Sequence, residues 1–287
     1  MPQSPGFLPV VSPAAEESIF NDFLALLNVS TLAEARQLPS SAIIAANAQQ
    51  VYSAAYGQFV YGPSVDGDFV PALPGQLLAR GQFDKNVTVM TGHNANEGLL
   101  FASPFINNNS ALDTYLLATF PALNYMPETL NYITQVLYPP IFDGSQAQNY
   151  TSQIGRVDAI ISEFVFTCNA VYLNKAYNNQ THAYLFNVPP SLHGQDIAYT
   201  YYNGNGSTSA GTGGTSFGVQ NVPVALAMQE YITEFAKTGN PNIRGAPFFP
   251  AYGSNATVLA LGPRSIGPMR DPAATARCAW WQKGLFY

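Results

Sequence analysis

The sequence predicts an α/β fold with an incomplete parallel sheet and helical excursions, on three observations. Two short runs, Val87-Thr88-Val89-Met90 and Ala183-Tyr184-Leu185-Phe186-Asn187-Val188, are apolar and rich in β-branched or aromatic residues, as buried strands are. Long stretches with apolar residues at helical spacing separate and flank them, the pattern of strands joined by helical crossovers. A buried parallel strand needs partners on both edges, so two firm strands are too few for 287 residues. No repeat or linker divides the chain, and residues 1–287 read as one partial domain.

Taken in order, Ser12-Pro13 supplies a cap and a first-turn proline before Ile19, Phe20, Phe23, Leu24 and Leu27. Thr31 with Glu34 forms a capping-box pattern, and Ser40-Ser41 opens a helical stretch that reaches Tyr52. Residues 57–85, rich in Gly, Pro and Asp, hold one short helical candidate near Leu77–Arg80. The first strand follows and stops at Gly92. Ser110 with Asp113, and Pro127 with Glu128, each open a helix. Residues 153–177 predict one long helix with Ile161, Phe164, Val165, Cys168, Val171 and Tyr172 on one face. The second strand ends at Pro189-Pro190, and the low-complexity run 203–218 predicts a mobile loop. Val224, Met228, Tyr231, Ile232 and Phe235 share a face of the next helix, which Lys237, Gly239 and Pro241 bring to an end. Thr257–Leu261 is a small strand candidate, and a helix covers Ala273–Gln282.

The charge balance narrows the partners. The net charge is −6, with eleven basic residues, so nothing in the composition offers a footprint for nucleic acid or an anionic membrane. No apolar run reaches the roughly 18 residues of a membrane span. The first residues, MPQSPGFLPV, lack the charged and apolar regions of a signal peptide and by themselves point to the cytosol. Asn-x-Ser/Thr sequons point the other way. They occur at Asn28, Asn86, Asn108, Asn149, Asn179, Asn205 and Asn255, against about three expected by chance, which favours a secreted glycoprotein. The two cysteines, Cys168 and Cys278, are either buried thiols or one disulfide.

Three histidines are available for chemistry. His193 lies in Ser191-Leu192-His193-Gly194, a loop just after the second strand, where open α/β sheets collect functional groups. It reads either as a catalytic base or as an ordinary loop histidine. His182 begins its strand and reads as a polar strand-end residue. His93 lies four residues before Glu97, and the pair is at most a weak metal or acid–base site because no further ligand is nearby. Glu97 follows the first strand and reads either as a turn carboxylate or as the acid that orients a catalytic histidine. Tyr199, Tyr201 and Tyr202 follow His193 closely and are candidates for walls of the site.

Several segments carry a family resemblance. Tyr61–Pro71, with Asp66-Gly67, is similar to the DG-containing loop of type-B carboxylesterases, the cholinesterase-like family. Thr91–Gly98, with Asn94 and Glu97-Gly98, resembles that family's acid loop, and His193-Gly194 followed by Asp196 resembles its histidine loop. Phe235-Ala236-Lys237-Thr238-Gly239-Asn240-Pro241-Asn242 resembles the F-A-x-T-G-x-P-N element, and Cys278-Ala279-Trp280-Trp281 the C-x-x-W segment. Gln3-Ser4-Pro5 matches the Q-S-x segment after the strand that follows the nucleophile elbow. The order is the family's own, and the texture is closest to its fungal members.

The resemblance implies the C-terminal half of an α/β-hydrolase fold and a secreted ester hydrolase acting on small-molecule or lipid esters. It implies Glu97 as triad acid, His193 as general base, a Cys168–Cys278 disulfide, and no metal or organic cofactor. It also places the G-x-S-x-G nucleophile and the oxyanion hole upstream of Met1, so the chain alone is expected to be inactive. The one internal match, Gly214-Thr215-Ser216-Phe217-Gly218, is rejected because no strand precedes it and it follows His193. The alternative is a non-catalytic cholinesterase-like binding or adhesion protein.

Overall fold

The structure is a computed structural model and describes residues 1–7, 13–204 and 218–286. Its centre is a four-stranded sheet in the order β1 (Met90–Asn94), β2 (His182–Phe186), β3 (Thr257–Leu261), β4 (Ile266–Arg270). The first three strands run parallel, with Met90 opposite His182 and Tyr184 opposite Leu259. β4 returns antiparallel, placing Pro268 against Leu259. Beyond β1, among the described residues, the sheet continues only as one parallel bridge, Gln3 to Gly92. Successive residues of β2 serve opposite faces. Tyr184 and Phe186 join one core cluster, and Ala183 and Leu185 join another, as the period of two requires.

The N-terminal helices α1 (Pro13–Leu26), α2 (Leu32–Ala35) and α3 (Ser40–Tyr52) stand off this sheet. The Thr31/Glu34 capping box is present. Of the expected α1 stripe only Leu24 is buried, so the period is real but the face lacks a full partner. Ser12 lies outside the described residues. The helix α4 (Pro74–Ala79) leads to β1 and packs on the later helix of the 153–176 run. The helices α5 (Asn109–Thr119) and α6 (Pro127–Asn131) follow, the latter running into a π-turn, Tyr132–Leu137.

The long helix expected over 153–177 is continuous but not uniform. It is α7 (Gln153–Ile161), a π-turn over Ser162–Thr167, then α8 (Cys168–Ala176). A wider turn rotates the side chains that follow, and such turns often mark functional sites. Here it carries Ser162, Glu163 and Phe166, each buried. This run, with α5 and α11 (Ala276–Trp281), encloses one core around Leu112, Phe120, Ile160, Val171 and Trp281. Cys168 and Cys278 are bonded to each other and tie α8 to α11 across 110 residues.

On the other face of the sheet, α9 (Gln195–Thr200) and α10 (Val222–Thr238) pack Tyr199, Val224, Met228 and Tyr231 against Met90, Tyr184, Phe186 and Leu259. α10 stops as expected, with Gly239 in the left-handed region at φ 75°; its start, where the Asn221 side chain accepts from Val224 N–H, was not singled out. Two expectations change. β1 starts three residues later than the apolar run, because Val87 and Thr88 are exposed while Thr91, His93 and Asn94 are buried and His93 and Asn94 are hydrogen-bonded from within. β4 was not anticipated.

Candidate active site

The site forms where the loops after β1 and β2 lie side by side. Ala95 N–H donates to Phe186 O at 3.1 Å and Asn96 N–H to Ser191 O at 2.9 Å, so the parallel pairing continues past both strands. A bridge joins Asn96 to Leu192, and the Asn96 amide donates to Pro190 O at 2.6 Å. Gly194 adopts φ 76°, a turn that only glycine makes without strain, and starts α9 immediately after His193. The result places Glu97 Oε2 2.6 Å from His193 Nδ1 across 96 residues of sequence.

Glu97 is fully buried. Its Oε1 accepts from Ser4 Oγ–H at 2.5 Å and from Asn94 N–H at 2.5 Å. A carboxylate with both oxygens occupied by donors only accepts, so His193 carries its proton on Nδ1. Nε2 carries no hydrogen bond among the described residues. The imidazole lies 4.2 Å from the Phe166 ring and 5.5 Å from the Phe101 ring, measured between centroids, with its side chain 21% exposed. It opens on an apolar cleft of about 190 Å³ lined by Phe7, Phe59, Tyr61, Phe101 and Phe166.

A buried polar layer holds the two loops. The Asn94 amide donates to Leu192 O at 2.7 Å and to Asp196 Oδ1 at 3.2 Å, while its own backbone serves Glu97. Asp196 Oδ2 accepts from Tyr184 O–H at 2.8 Å, and Gln3 donates to Thr200 Oγ1 at 2.8 Å beneath it. Burial, reinforced by the charge of Glu97, pushes the Asp196 carboxyl up. Behind the acid loop, Gly98 N–H donates to Ser162 Oγ, whose hydroxyl donates to Asp158 Oδ1. Burial pushes Asp158 up to about 6 against the lowering effect of Ser162. Gly98 is required by space, because a Cβ there would lie 2.4 Å from Asp158 O and 2.7 Å from Ser162 N.

The other histidines are accounted for elsewhere. His93 Nε2 lies 3.2 Å from Asp271 Oδ1, not against Glu97, and Tyr252 donates to Asp271 Oδ2. Burial lowers the affinity of His93 for a proton, but Asp271 outweighs it and holds the imidazole above its ordinary value. His182 Nδ1 lies 3.0 Å from Pro250 O at the start of β2, and burial pushes it down. One group of three ligand-type side chains converges among the described residues: Glu163, Cys168 and Cys278. The two sulfurs are bonded to each other and Glu163 is engaged by Arg277 at 2.8 Å, so the group does not offer a metal site.

The tyrosines expected to wall the site do not. Tyr199 is buried against Phe186, Tyr201 is 69% exposed, and Tyr202 packs on the α9–α10 core, because α9 carries all three away from the cleft. The aromatic wall comes instead from 57–64, the acid loop and the π-turn. Ser4, Asp158, Ser162 and Phe166 were not singled out as site residues. Only Ser4 left a trace, in the Gln3-Ser4-Pro5 match. Asn205 and Ser216 lie outside the described residues. Among the described residues, no helix is long and apolar enough to cross a membrane.

A buried carboxylate hydrogen-bonded to a partly exposed histidine therefore stands at the carboxyl ends of adjacent parallel strands, where α/β folds collect functional groups. The carboxylesterase family model matches residues 27–281, and the chain belongs to that family. It is 38% identical over 99% of its length to carboxylesterase patB of Penicillium expansum and 35% identical over 99% to carboxylesterase patB of Aspergillus clavatus. It covers 48% and 49% of those proteins, so the chain spans about half the length of the curated relatives it matches. The crystal structure of Aspergillus niger EstA superposes on 98% of the chain, covering 57% of EstA, with a TM-score of 0.77 and 21% identity; that likeness supports the partial α/β-hydrolase fold.

Proposed function

We propose that these residues are the acid–base half of a secreted carboxylic-ester hydrolase, with the nucleophilic serine and oxyanion donors supplied by residues outside this sequence. The observation that carries the reading is the 2.6 Å contact from His193 Nδ1 to the buried Glu97. Glu97 fixes the Nδ1–H tautomer and stabilises the imidazolium, leaving Nε2 to take the proton of a serine and return it to the leaving alcohol. The apolar cleft beside His193 suits an ester with an apolar acyl or alcohol group. The excess of sequons supports an exported enzyme rather than a cytosolic one.

The test is ester turnover in two preparations. A longer product of the gene that includes a G-x-S-x-G elbow is expected to hydrolyse p-nitrophenyl esters and to lose activity in His193→Ala. The 287-residue stretch alone is expected to show no turnover above background. Turnover by that stretch, abolished by His193→Ala, overturns the split of the machinery. An intact elbow with no esterase activity overturns the hydrolase and favours a non-catalytic binding protein.

A further inference from the structure

Seven sequons enter the sequence, and the catalytic reading uses none of them. Three of them share one place in the fold. Asn86 stands four residues before β1, Asn179 three before β2, and Asn255 two before β3. Because β1, β2 and β3 are parallel, all three lie at one edge of the sheet, the N-terminal edge. Glu97 and His193 follow the opposite, C-terminal edge. Five-residue strands separate the two edges by about 16 Å.

The three loops also hold one another. Tyr177 O–H, two residues before Asn179, donates to Asp84 O at 2.6 Å, two residues before Asn86. Gly253 N–H, two residues before Asn255, donates to Asn179 O at 2.9 Å. Asn179 and Asn255 line the same open cleft. Asn86 and Asn255 are exposed and Asn179 is half-buried in a tight turn with φ 59°. None of the three side-chain amides carries a hydrogen bond among the described residues, so a substituent on Nδ2 displaces nothing. Asn108 differs: its Oδ1 caps α5 through Ala111 N–H, and its Nδ2 donates to Asn107. Each of the three is completed by threonine, at Thr88, Thr181 and Thr257.

We infer that the N-terminal edge of the sheet is a glycan-bearing face, with N-linked oligosaccharides on Asn86, Asn179 and Asn255. The inference rests on the secretory part of the proposed function. Bulky, solvated glycans on three adjoining loops keep this edge out of any protein interface. The same placement leaves the cleft beside His193 open to substrate. The face is thereby divided by strand polarity: chemistry at one end, modification at the other.

The test is site mapping. The longer gene product that contains this chain is secreted from yeast and recovered from the medium. It is then deglycosylated by peptide N-glycosidase in heavy-oxygen water, and its peptides are weighed. Isotope-marked conversion to aspartate is expected at all three positions. A triple Asn→Gln variant is expected to run smaller by three glycan increments. Any of the three left unmodified in a chain that carries glycans elsewhere, or a chain carrying none, overturns the glycan-bearing face. Native protein found only inside its cells overturns the secretory reading and the face with it. Both results leave the ester-hydrolysis test unaffected, so the failures are distinguishable.

Discussion

Replacing Glu97 by glutamine tests the acid–base assignment without needing the nucleophile. In the wild type, Oε1 receives two donors, Ser4 Oγ–H and Asn94 N–H, and Oε2 faces His193 Nδ1. An amide has one acceptor and one donor end. Turning its NH2 toward Oε1's position sets it against two donors; turning it toward His193 sets it against one. A neutral hydrogen bond contributes about 0.5–1.5 kcal/mol, so the second orientation wins by roughly one such bond. The amide NH2 then needs an acceptor, and the imidazole provides it by moving its proton from Nδ1 to Nε2. The nitrogen that should act as base is now occupied. The same change in a Ser-His-Asp triad lowers turnover by about 10⁴, or about 5 kcal/mol of transition-state stabilisation. The assay on this chain is the ¹⁵N spectrum of the His193 imidazole, which separates protonated from unprotonated ring nitrogens. Glu97→Gln is expected to exchange the two signals while the rest of the spectrum stays folded. Retention of Nδ1–H in the variant, or near-wild-type turnover in a longer protein carrying Glu97→Gln, refutes the reasoning.

Three further outcomes follow from the same geometry. Asp158 is protonated more readily folded, at about 6, than at its ordinary 3.8, so it costs stability as pH rises from about 4 through 6. Asp158→Asn is therefore expected to stabilise the chain by about 2–3 kcal/mol at pH 7 and little at pH 4, as urea midpoints at the two pH values will show; an equal shift at both refutes the assignment. Joint replacement of Cys168 and Cys278 by alanine opens a closed loop whose ends are 110 residues apart. The expected cost is about 4–5 kcal/mol in the chain-entropy model, read as a lowered denaturant midpoint. Gly98→Ala drives a methyl carbon into the α7 backbone, where Asp158 O lies 2.4 Å away. A loss of about 1–3 kcal/mol is expected in thermal melts, with the Glu97–His193 contact loosened in the imidazole spectrum.

How far the sequence could be read depended on how local each signal was. α10 was legible at its C-terminal end because the stop is made by a neighbour: Gly239 turns it off within one residue of its last turn. The Thr31/Glu34 box is legible for the same reason. β1 was misplaced because hydropathy favoured Val87–Val89, whereas the true strand runs through Thr91, His93 and Asn94. All three are buried, and two of them meet partners far along the chain: His93 meets Asp271, 178 residues away, and Asn94 meets Asp196, 102 residues away. β4 contains Gly267 and Pro268, which argue against a central strand but are tolerated on an edge.

The site divides along the same line. The contact between Glu97 and His193 was legible because each follows a strand within a recognisable motif, and strand ends are where functional groups collect. What fixes them could not be found from pattern. Ser4 reaches Glu97 across 93 residues, and Phe166 reaches His193 only because a π-turn rotates it there within a run whose average period stays helical. That turn does three things at once: Ser162 receives the acid loop at Gly98, Glu163 receives Arg277 from α11, and Phe166 supports the imidazole. One irregular turn therefore couples the disulfide-bonded helical layer to the acid–histidine pair. The stability of that layer and the geometry of the pair are expected to change together whenever a substitution restores the turn to a regular helix.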